Sequence, residues 1–313
     1  MGQAVGIDVG GTKIAAGRVD EDGSVLALET LPTPADDVDA TIATVVRAAR
    51  AVITPDVGAV GIAAAGLVTW GSGELVFAPN LAWRQVPLTR LLTSELGLPV
   101  VADNDNTAAA WGEHLFGAGR GVDDLLLVGV GTGIGGGIVS GGRLFHGAHG
   151  FAAEIGHIVM DPAGPLCGCG NRGCWEQLAS GQAVTRAGRA AVRDGADSTL
   201  VELTAGDAER VTGPMITRAA RDGDRVSVAI LADVGRWLGV GIGGLVNVLD
   251  PQMVVMAGGV SEAGDLVLEP ARTAYRDTVE AAEMRPDVSI VMAAHGGNAG
   301  VVGAAALVLE APG

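Results

Sequence analysis

Lysine is nearly absent from this sequence of 313 residues. Lys13 is the single lysine beside 19 arginines, and 36 acidic residues give a formal net charge of −16 at pH 7. A protein that binds nucleic acid through its phosphates needs a basic surface. The charge balance therefore predicts no nucleic-acid partner, and it makes the position of the one lysine informative.

Long apolar runs are missing as well. Segments such as 125–130 are too short to span a bilayer, and the first residues, Met1-Gly2-Gln3, lack the basic charge of a signal peptide. We therefore expect no membrane association and a cytoplasmic location. Apolar residues make up 48% of the chain and charged residues 18%, which favours a packed core over disorder. The length suggests about two domains.

Cysteine is also scarce, and all three cysteines lie within residues 167–174, ten positions after His157. Three thiolates and one imidazole are the tetrahedral donor set of a structural zinc site. A disulfide with one free thiol is the alternative, but it is disfavoured in a cytoplasmic protein, and Cys-x-Cys is not the redox spacing. The sequence predicts a zinc ion bound by His157, Cys167, Cys169 and Cys174.

Glycine, by contrast, is abundant, with 50 residues that cluster after apolar segments. An apolar strand at 4–9 runs into Gly10-Gly11-Thr12-Lys13, and a second at 124–130 runs into Gly131-Thr132-Gly133. The two similar segments, about half a chain apart, indicate weak internal duplication and two similar lobes that face one cleft.

Glycine turns of this kind direct backbone N–H groups at phosphate oxygens. Thr12 would add a hydroxyl donor, Lys13 a positive charge, and Asp8 a carboxylate for magnesium. An ordinary hairpin turn is the alternative. Residues 131–136 also match the G-x-G-x-x-G pattern of dinucleotide-binding folds, which require a helix directly afterwards. Here no helix follows directly: 135–137 are interpreted as part of the turn and Ile138-Val139 as the resumed strand. The pattern therefore does not favour a dinucleotide-binding fold.

Several polar residues stand close to these motifs or at strand ends. Glu154 precedes His157, and Glu176 follows Cys174. Clustered carboxylates can accept hydrogen bonds from the vicinal hydroxyls of a sugar. Asp103-Asn104-Asp105 ends a predicted strand just before a helix, where one aspartate could be a general base and Asn104 a hydroxyl binder. The two glutamates could instead be solvated surface acids, and Asp103-Asn104-Asp105 could instead cap the helix. The remaining histidines show no ligand spacing and are interpreted as loop or core residues: His114, His146, His149 and His295.

Together these motifs resemble the signatures of the ROK family of sugar kinases and repressors, and within it the zinc-containing bacterial glucokinases. The resemblance covers essentially the whole chain. The zinc signature Cys-x-Cys-Gly-x-x-Gly-Cys-x-Glu is matched at every fixed position from Cys167 to Glu176. The other matches are the phosphate signature at 8–13, Asn80-Leu81-x-Trp83, Asn104-Asp105, the Glu-x-Gly-His motif at 154–157, and Gly258-Gly259.

The resemblance implies an α/β protein with an actin/hexokinase-like fold, in which two ribonuclease-H-like lobes surround a cleft. The small lobe would comprise residues 1–115, joined by a C-terminal helix at 299–313. The large lobe would comprise residues 116–298 and carry the zinc loop. The phosphate strand begins at about residue 4, so we expect no room for the DNA-binding domain that the family's repressors carry.

The resemblance also implies ATP-dependent phosphorylation of a hexose at its 6-hydroxyl, with glucose as the first candidate and Asp105 as the catalytic base. The sugar would bind to Asn80, Asn104, Asp105, Glu154, His157 and Glu176. ATP and magnesium would bind to Asp8, Gly10, Gly11, Thr12, Lys13, Gly131, Thr132, Gly133, Gly258 and Gly259. A homo-oligomer, dimer or tetramer, is expected.

The sequence leaves other possibilities open. An N-acetylhexosamine or fructose kinase of the same family, a non-catalytic sugar sensor, and polyphosphate as donor are all compatible with the motifs. The chain also departs from the family's glucokinases, which usually have Glu where Asp103 stands and Asn where Thr107 stands. Neither residue is the expected base, so the departures concern the positioning of the sugar loop.

Overall fold

The structure is a computed structural model that describes residues 2–260 and 263–309. The strands are β1 (Gln3–Val9), β2 (Lys13–Asp20), β3 (Val25–Pro32), β4 (Val57–Ala64), β5 (Leu67–Thr69), β6 (Glu74–Phe77), β7 (Arg84–Val86), β8 (Val100–Asn104), β9 (Leu125–Val130), β10 (Ile134–Ser140), β11 (Arg143–Leu144), β12 (Met253–Ala257) and β13 (Ser289–Met292). The helices are α1 (Val38–Val52), α2 (Leu88–Leu96), α3 (Asp105–Phe116), α4 (Trp175–Ala179), α5 (Gly181–Arg193), α6 (Thr199–Thr204), α7 (Gly213–Arg221), α8 (Arg225–Leu249), α9 (Asp265–Thr278) and α10 (Ala299–Ala306).

Two five-stranded sheets share one topology. The first has the order β3-β2-β1-β4-β8, and the second has the order β11-β10-β9-β12-β13. In each, an antiparallel hairpin is followed by parallel pairing, β1 with β4 and β9 with β12. This repeat is the structural counterpart of the two similar strand-turn-strand segments in the sequence. Ligands of α/β sheets bind beyond the carboxyl ends of the parallel strands, which is where both glycine turns lie.

The second hairpin differs from the sequence expectation at residues 135–137. These glycines do not belong to the turn: they lie within β10, where Gly135 pairs with Gly129 and Gly137 with Leu127. A side chain at Gly135 or Gly137 would clash with Asn106 at the start of α3. The glycines therefore allow helix and sheet to approach closely, a reason that a single sequence does not reveal.

Helix α10 lies on the first sheet, although it is distant from that sheet in sequence. It packs against β1, β4 and α3. A side chain at Gly6 would clash with the carbonyl oxygen of Val301, and one at Gly61 with that of Ala304. The helix ends at Ala306, three residues before the end of the described chain, and residues 310–313 of the predicted small lobe lie outside the described residues.

Helix α8, with 25 residues, is the one helix among those described that is long and apolar enough to cross a membrane. Half of its most apolar window is buried inside the protein, where it packs against α9. Leu231, Leu238 and Ile242 are at most 1% exposed in the core of the second sheet. These contacts are those of a core helix.

Asp224 joins the N-termini of α6 and α8. Its carboxylate accepts hydrogen bonds from the backbone N–H groups of Ser227 (2.7 Å) and Thr199 (2.8 Å) and from the hydroxyl of Ser198 (3.1 Å). Burial raises the pKa of Asp224, but these hydrogen bonds to the charged form outweigh it and lower the pKa to about 2.

Asp224→Ala is expected to lower the free energy of unfolding at pH 7 by about 2–3 kcal/mol. The folded pKa is below the unfolded value of about 3.9, so the carboxylate stabilises the fold above about pH 4, and this contribution is lost as the pH falls toward 2. Urea unfolding from pH 7 down to pH 3 measures it. The difference between variant and wild type should shrink with falling pH, whereas the exposed Asp222→Ala should unfold like wild type throughout.

Candidate active site

The junction of β8 and α3 carries the candidate base. Asn104 is the N-cap of α3: its Oδ1 accepts hydrogen bonds from the N–H groups of Asn106 (2.8 Å) and Thr107 (3.1 Å). Its Nδ2 donates to the Gly66 carbonyl at 3.1 Å. Asp105, the first helical residue, accepts at Oδ1 from both the N–H and the Nδ2 of Asn106, each at 3.0 Å. The cap holds the backbone from which Asp105 projects, so capping and a candidate catalytic role occupy adjacent residues.

Asp8 in β1 and Asp105 just after β8 lie on either side of β4, and their charges interact. Burial raises the pKa of Asp105, against the hydrogen bonds from Asn106. The pKa of Asp8 is raised to about 6, first by burial and then by repulsion from Asp105, while the charge of Lys13 lowers it. A cation or a proton donor placed between them would therefore stabilise both carboxylates.

The first glycine turn connects β1 to β2. The N–H of Gly10 donates to the Lys13 carbonyl at 3.0 Å, and the Thr33 hydroxyl donates to the Gly10 carbonyl at 2.8 Å. Thr12 and Lys13 are exposed and have room for a ligand. Asn80 lies against this turn, since a Cβ at Gly11 would stand 2.8 Å from the Asn80 Cβ.

The second glycine turn lines a cleft of about 900 Å³. The N–H of Gly131 donates to the Gly133 carbonyl, and the N–H of Gly181 at the start of α5 donates to the Gly131 carbonyl at 2.8 Å. Gly258 has φ +89°, and a side chain there would clash with the backbone of Val130. Gly131, Thr132 and Gly259 line the cleft together with the ends of α5 and α7.

The cysteine segment and His157 form a four-residue cluster. One ligand atom each from His157, Cys167, Cys169 and Cys174 lies within 4.8 Å of the others. The Sγ atoms of Cys169 and Cys174 are 3.5 Å apart, and the Cys167 Sγ is 3.7 Å from His157 Nδ1. Tetrahedral zinc, with bonds of about 2.3 Å to sulfur and about 2.0 Å to nitrogen, separates its ligand atoms by about 3.5–3.8 Å. The donor set and the spacing therefore fit zinc.

Two glutamates flank the imidazole of this cluster. His157 Nδ1 is 3.8 Å from Glu176 Oε1, and His157 Nε2 is 4.0 Å from Glu154 Oε2. Burial raises the pKa of Glu154, as do the charges of Asp105 and Glu176, whereas His157 lowers it. Glu176 also lies against the second glycine turn, because a side chain at Gly133 would clash with its carboxylate. Glu176 thus connects the cluster to the second glycine turn.

Three features of the site were missed in the sequence. His146, interpreted above as a loop or core residue, is paired with Asp103 at 2.7 Å. Asn106 packs on the face of the second hairpin, against Gly129 and Gly135. Both contacts join segments distant in sequence and leave no local signal. Arginines of α5 and α7 also line the cleft: Arg186, Arg189, Arg193, Arg218 and Arg221. The three in α5 are three and four residues apart, a helical spacing that could have been recognised in the sequence.

The fold and site now define a class of protein. The two sheets of one topology are those of the actin/hexokinase-like fold, as the sequence resemblance implied. The chain belongs to the ROK family, whose model matches residues 4–311.

Three proteins of known activity are similar to this chain over nearly its whole length. The glucokinase of Streptomyces coelicolor is 44% identical over 315 residues, which cover 99% of this chain and 98% of the relative. An N-acetylmannosamine kinase of Shigella boydii is 35% identical over 297 residues, 92% of this chain and 96% of the relative. The crystal structure of a ROK family glucokinase from Streptomyces griseus in complex with glucose and AMPPNP has a TM-score of 0.87 and 43% identity, and the match covers 98% of this chain and 99% of that one.

Proposed function

We propose that this protein is an ATP-dependent hexose kinase whose preferred substrate is glucose, which it converts to glucose 6-phosphate. The observation that carries the proposal is the Asn104–Asp105 junction, where a helix cap holds a carboxylate whose charge acts on Asp8, just before the first glycine turn, and on Glu154 beside His157. Full-length similarity to glucokinases, one of them solved with glucose and AMPPNP, supports the same reaction. Such an enzyme would supply glycolysis in the cytoplasm.

In this mechanism Asp105 accepts the proton of the sugar 6-hydroxyl. The hydroxyl oxygen forms a bond to the γ-phosphorus of ATP as the bond from that phosphorus to the β–γ bridging oxygen breaks and ADP leaves. The raised pKa of Asp105 suits a base, because burial makes the carboxylate a stronger proton acceptor. Most of the catalysis of phosphoryl transfer comes from positioning and charge stabilisation around the transferred group.

The two glycine turns are proposed to bind the phosphates. Backbone N–H groups of Gly11 and Thr12, with the Lys13 ammonium, would contact one side of the triphosphate, and those of Thr132 and Gly133 the other. The N–H groups of Gly10 and Gly131 instead hold the two turns in shape. Gly258 and Gly259 would face the adenosine. Asp8 would hold magnesium, which supplies positive charge to the phosphates when bound. The partly buried position of Asp8 and its raised pKa fit a cation site.

The sugar is proposed to lie between the cap and the zinc cluster. Asn104, Glu154, Glu176 and Asn80 would bind its hydroxyls, and His157 would bind another through Nε2 while Nδ1 faces the cysteines. A bound zinc would fix the ring orientation of His157 and leave the second nitrogen free. The metal's contribution is thus structural: it holds the loop that carries the hydroxyl-binding groups.

The assembly around this site is also a proposal. Residues 1–115 with α10 would form one lobe and residues 116–298 the other, closing on the substrates to exclude water. The close packing of α10 on Gly6 and Gly61 of the first sheet supports its assignment to the small lobe. We propose a cytoplasmic homo-oligomer, either dimer or tetramer.

Glucose is expected to be the best acceptor. Identity to the glucokinase of S. coelicolor exceeds that to the N-acetylmannosamine kinase, which supports a free 2-hydroxyl over a 2-acetamido group. The test compares kcat/KM for glucose, mannose, fructose, N-acetylglucosamine and N-acetylmannosamine with ATP, and repeats glucose with polyphosphate. A higher kcat/KM for any other sugar would contradict the substrate assignment, and no turnover of any hexose would favour a sugar sensor.

A further inference from the structure

A buried contact between the side chains of Asp103 and His146 joins the candidate base segment to the loop that follows β11. Nε2 of His146 lies 2.7 Å from Oδ2 of Asp103, and the two side chains are 9% and 1% exposed. The Trp70 ring stacks on the imidazole, with ring centroids 3.7 Å apart and an interplanar angle of 13°. The pair is therefore shielded from water, in an environment where losing one partner leaves the other unsatisfied.

Each partner is also attached to one side of the proposed sugar site. Asp103 accepts at Oδ1 from the N–H of Asn104 at 2.8 Å, so the same carboxylate that contacts His146 holds the helix cap. The Ala152 N–H donates to the His146 carbonyl at 3.2 Å, and this loop leads into Glu154. One carboxylate thus connects the end of β8 in the first sheet with a loop of the second.

The docking of this loop is close along its length. A side chain at Gly150 would clash with the backbone of Val68 in β5 and of Trp70 just after it. Ala153, just before Glu154, has φ +67°, a left-handed conformation that a non-glycine residue adopts only when its surroundings enforce it. The loop therefore has one defined position relative to β5 and β8.

We propose that Asp103 and His146 are positioning residues that fix the spacing between the two halves of the sugar site, Asn104–Asp105 and Glu154. Neither residue touches the reacting atoms: each acts through the segment to which it is bonded. The inference rests on the proposed function, since it concerns the hexose that the site would bind.

Two substitutions at His146 separate positioning from general stability. His146→Leu removes the donor and keeps a side chain of similar bulk, whereas His146→Gln places an amide nitrogen near the position of Nε2. His149→Gln, in the same loop but exposed, is the matched control. Steady-state kinetics with glucose and with ATP, together with thermal unfolding and zinc content, are measured for all three and for wild type.

We expect His146→Leu to raise the glucose KM roughly tenfold or more, because the buried Asp103 carboxylate is left without its partner. The ATP KM should change little, and His146→Gln should recover most of the loss. Equal losses in His146→Leu and His146→Gln, or a glucose KM near wild type in His146→Leu, would overturn the inference. A wild-type protein without hexose kinase activity would instead overturn the proposed function.

A double-mutant cycle tests whether the two residues act as a pair. If they do, Asp103→Ala combined with His146→Leu should raise the glucose KM no further than the worse single substitution, because the shared contact is lost only once. Losses that multiply would show that the two side chains act independently and would overturn the pairing.

Discussion

Replacing Asp105 with asparagine is expected to abolish nearly all turnover while the fold, the zinc site and sugar binding remain. Asparagine has almost the same shape and can still accept the hydrogen bonds from Asn106, so α3 should begin as in wild type. It cannot accept the proton of the sugar hydroxyl. A positioned general base contributes about 10²–10⁴-fold, and kcat should fall by that factor, as measured in a coupled assay.

Direct binding of glucose, measured by calorimetry without ATP, separates chemistry from recognition in this variant. Its dissociation constant should stay close to that of wild type. Asp37→Asn makes the same chemical change at the N-cap of α1, where the carboxylate accepts from the Ala40 N–H at 2.9 Å, and should leave kcat unchanged. Turnover of Asp105→Asn within about threefold of wild type, well below the usual contribution of a base, would refute the assignment.

Local patterns of the sequence predicted the elements that carry the site. The apolar segments at 4–9 and 124–130 are β1 and β9, and the strand that was expected to end at Asp103-Asn104-Asp105 is β8, followed directly by α3. Such elements are predictable because a chain segment buries one face whatever it packs against. The family resemblance and the actin/hexokinase-like fold were likewise confirmed.

Contacts between the two sheets could not be predicted in this way. Gly135 and Gly137 were assigned to the turn because the close approach of α3, which requires glycine there, leaves no local pattern in the sequence. His146 gave no sign of its partner because Asp103 is 43 residues away. The role of each candidate site residue stays a prediction. What the structure adds is their proximity: His157 and the three cysteines, grouped by spacing alone, do converge.

Cys169→Ser is expected to lose zinc and sugar affinity together, although no cysteine contacts the phosphates in the proposed site. Serine is a much weaker zinc ligand than thiolate, and Cys169 contributes one of the four converging atoms. Structural zinc binding is worth about 10–16 kcal/mol in small zinc-finger peptides, and here part of that energy would order the segment between His157 and Glu176. Losing it should raise the glucose KM about 10–100-fold, the usual effect of disrupting the surroundings of a metal site.

The location of the cluster determines which parameter should move. His157 is both a candidate zinc ligand and the neighbour of Glu154 and Glu176, so disorder in this segment removes three proposed sugar contacts at once. The turn at Gly10 belongs to the other sheet, and the turn at 131–133 is held by its own hydrogen bonds and by Gly181. The ATP KM should therefore change much less than the glucose KM. Metal analysis of the purified protein with separate glucose and ATP titrations measures this, and the exposed Asn171→Ser, two residues away, is the control that should retain zinc. A Cys169→Ser protein without zinc but with a wild-type glucose KM would show that the metal does not organise the sugar site.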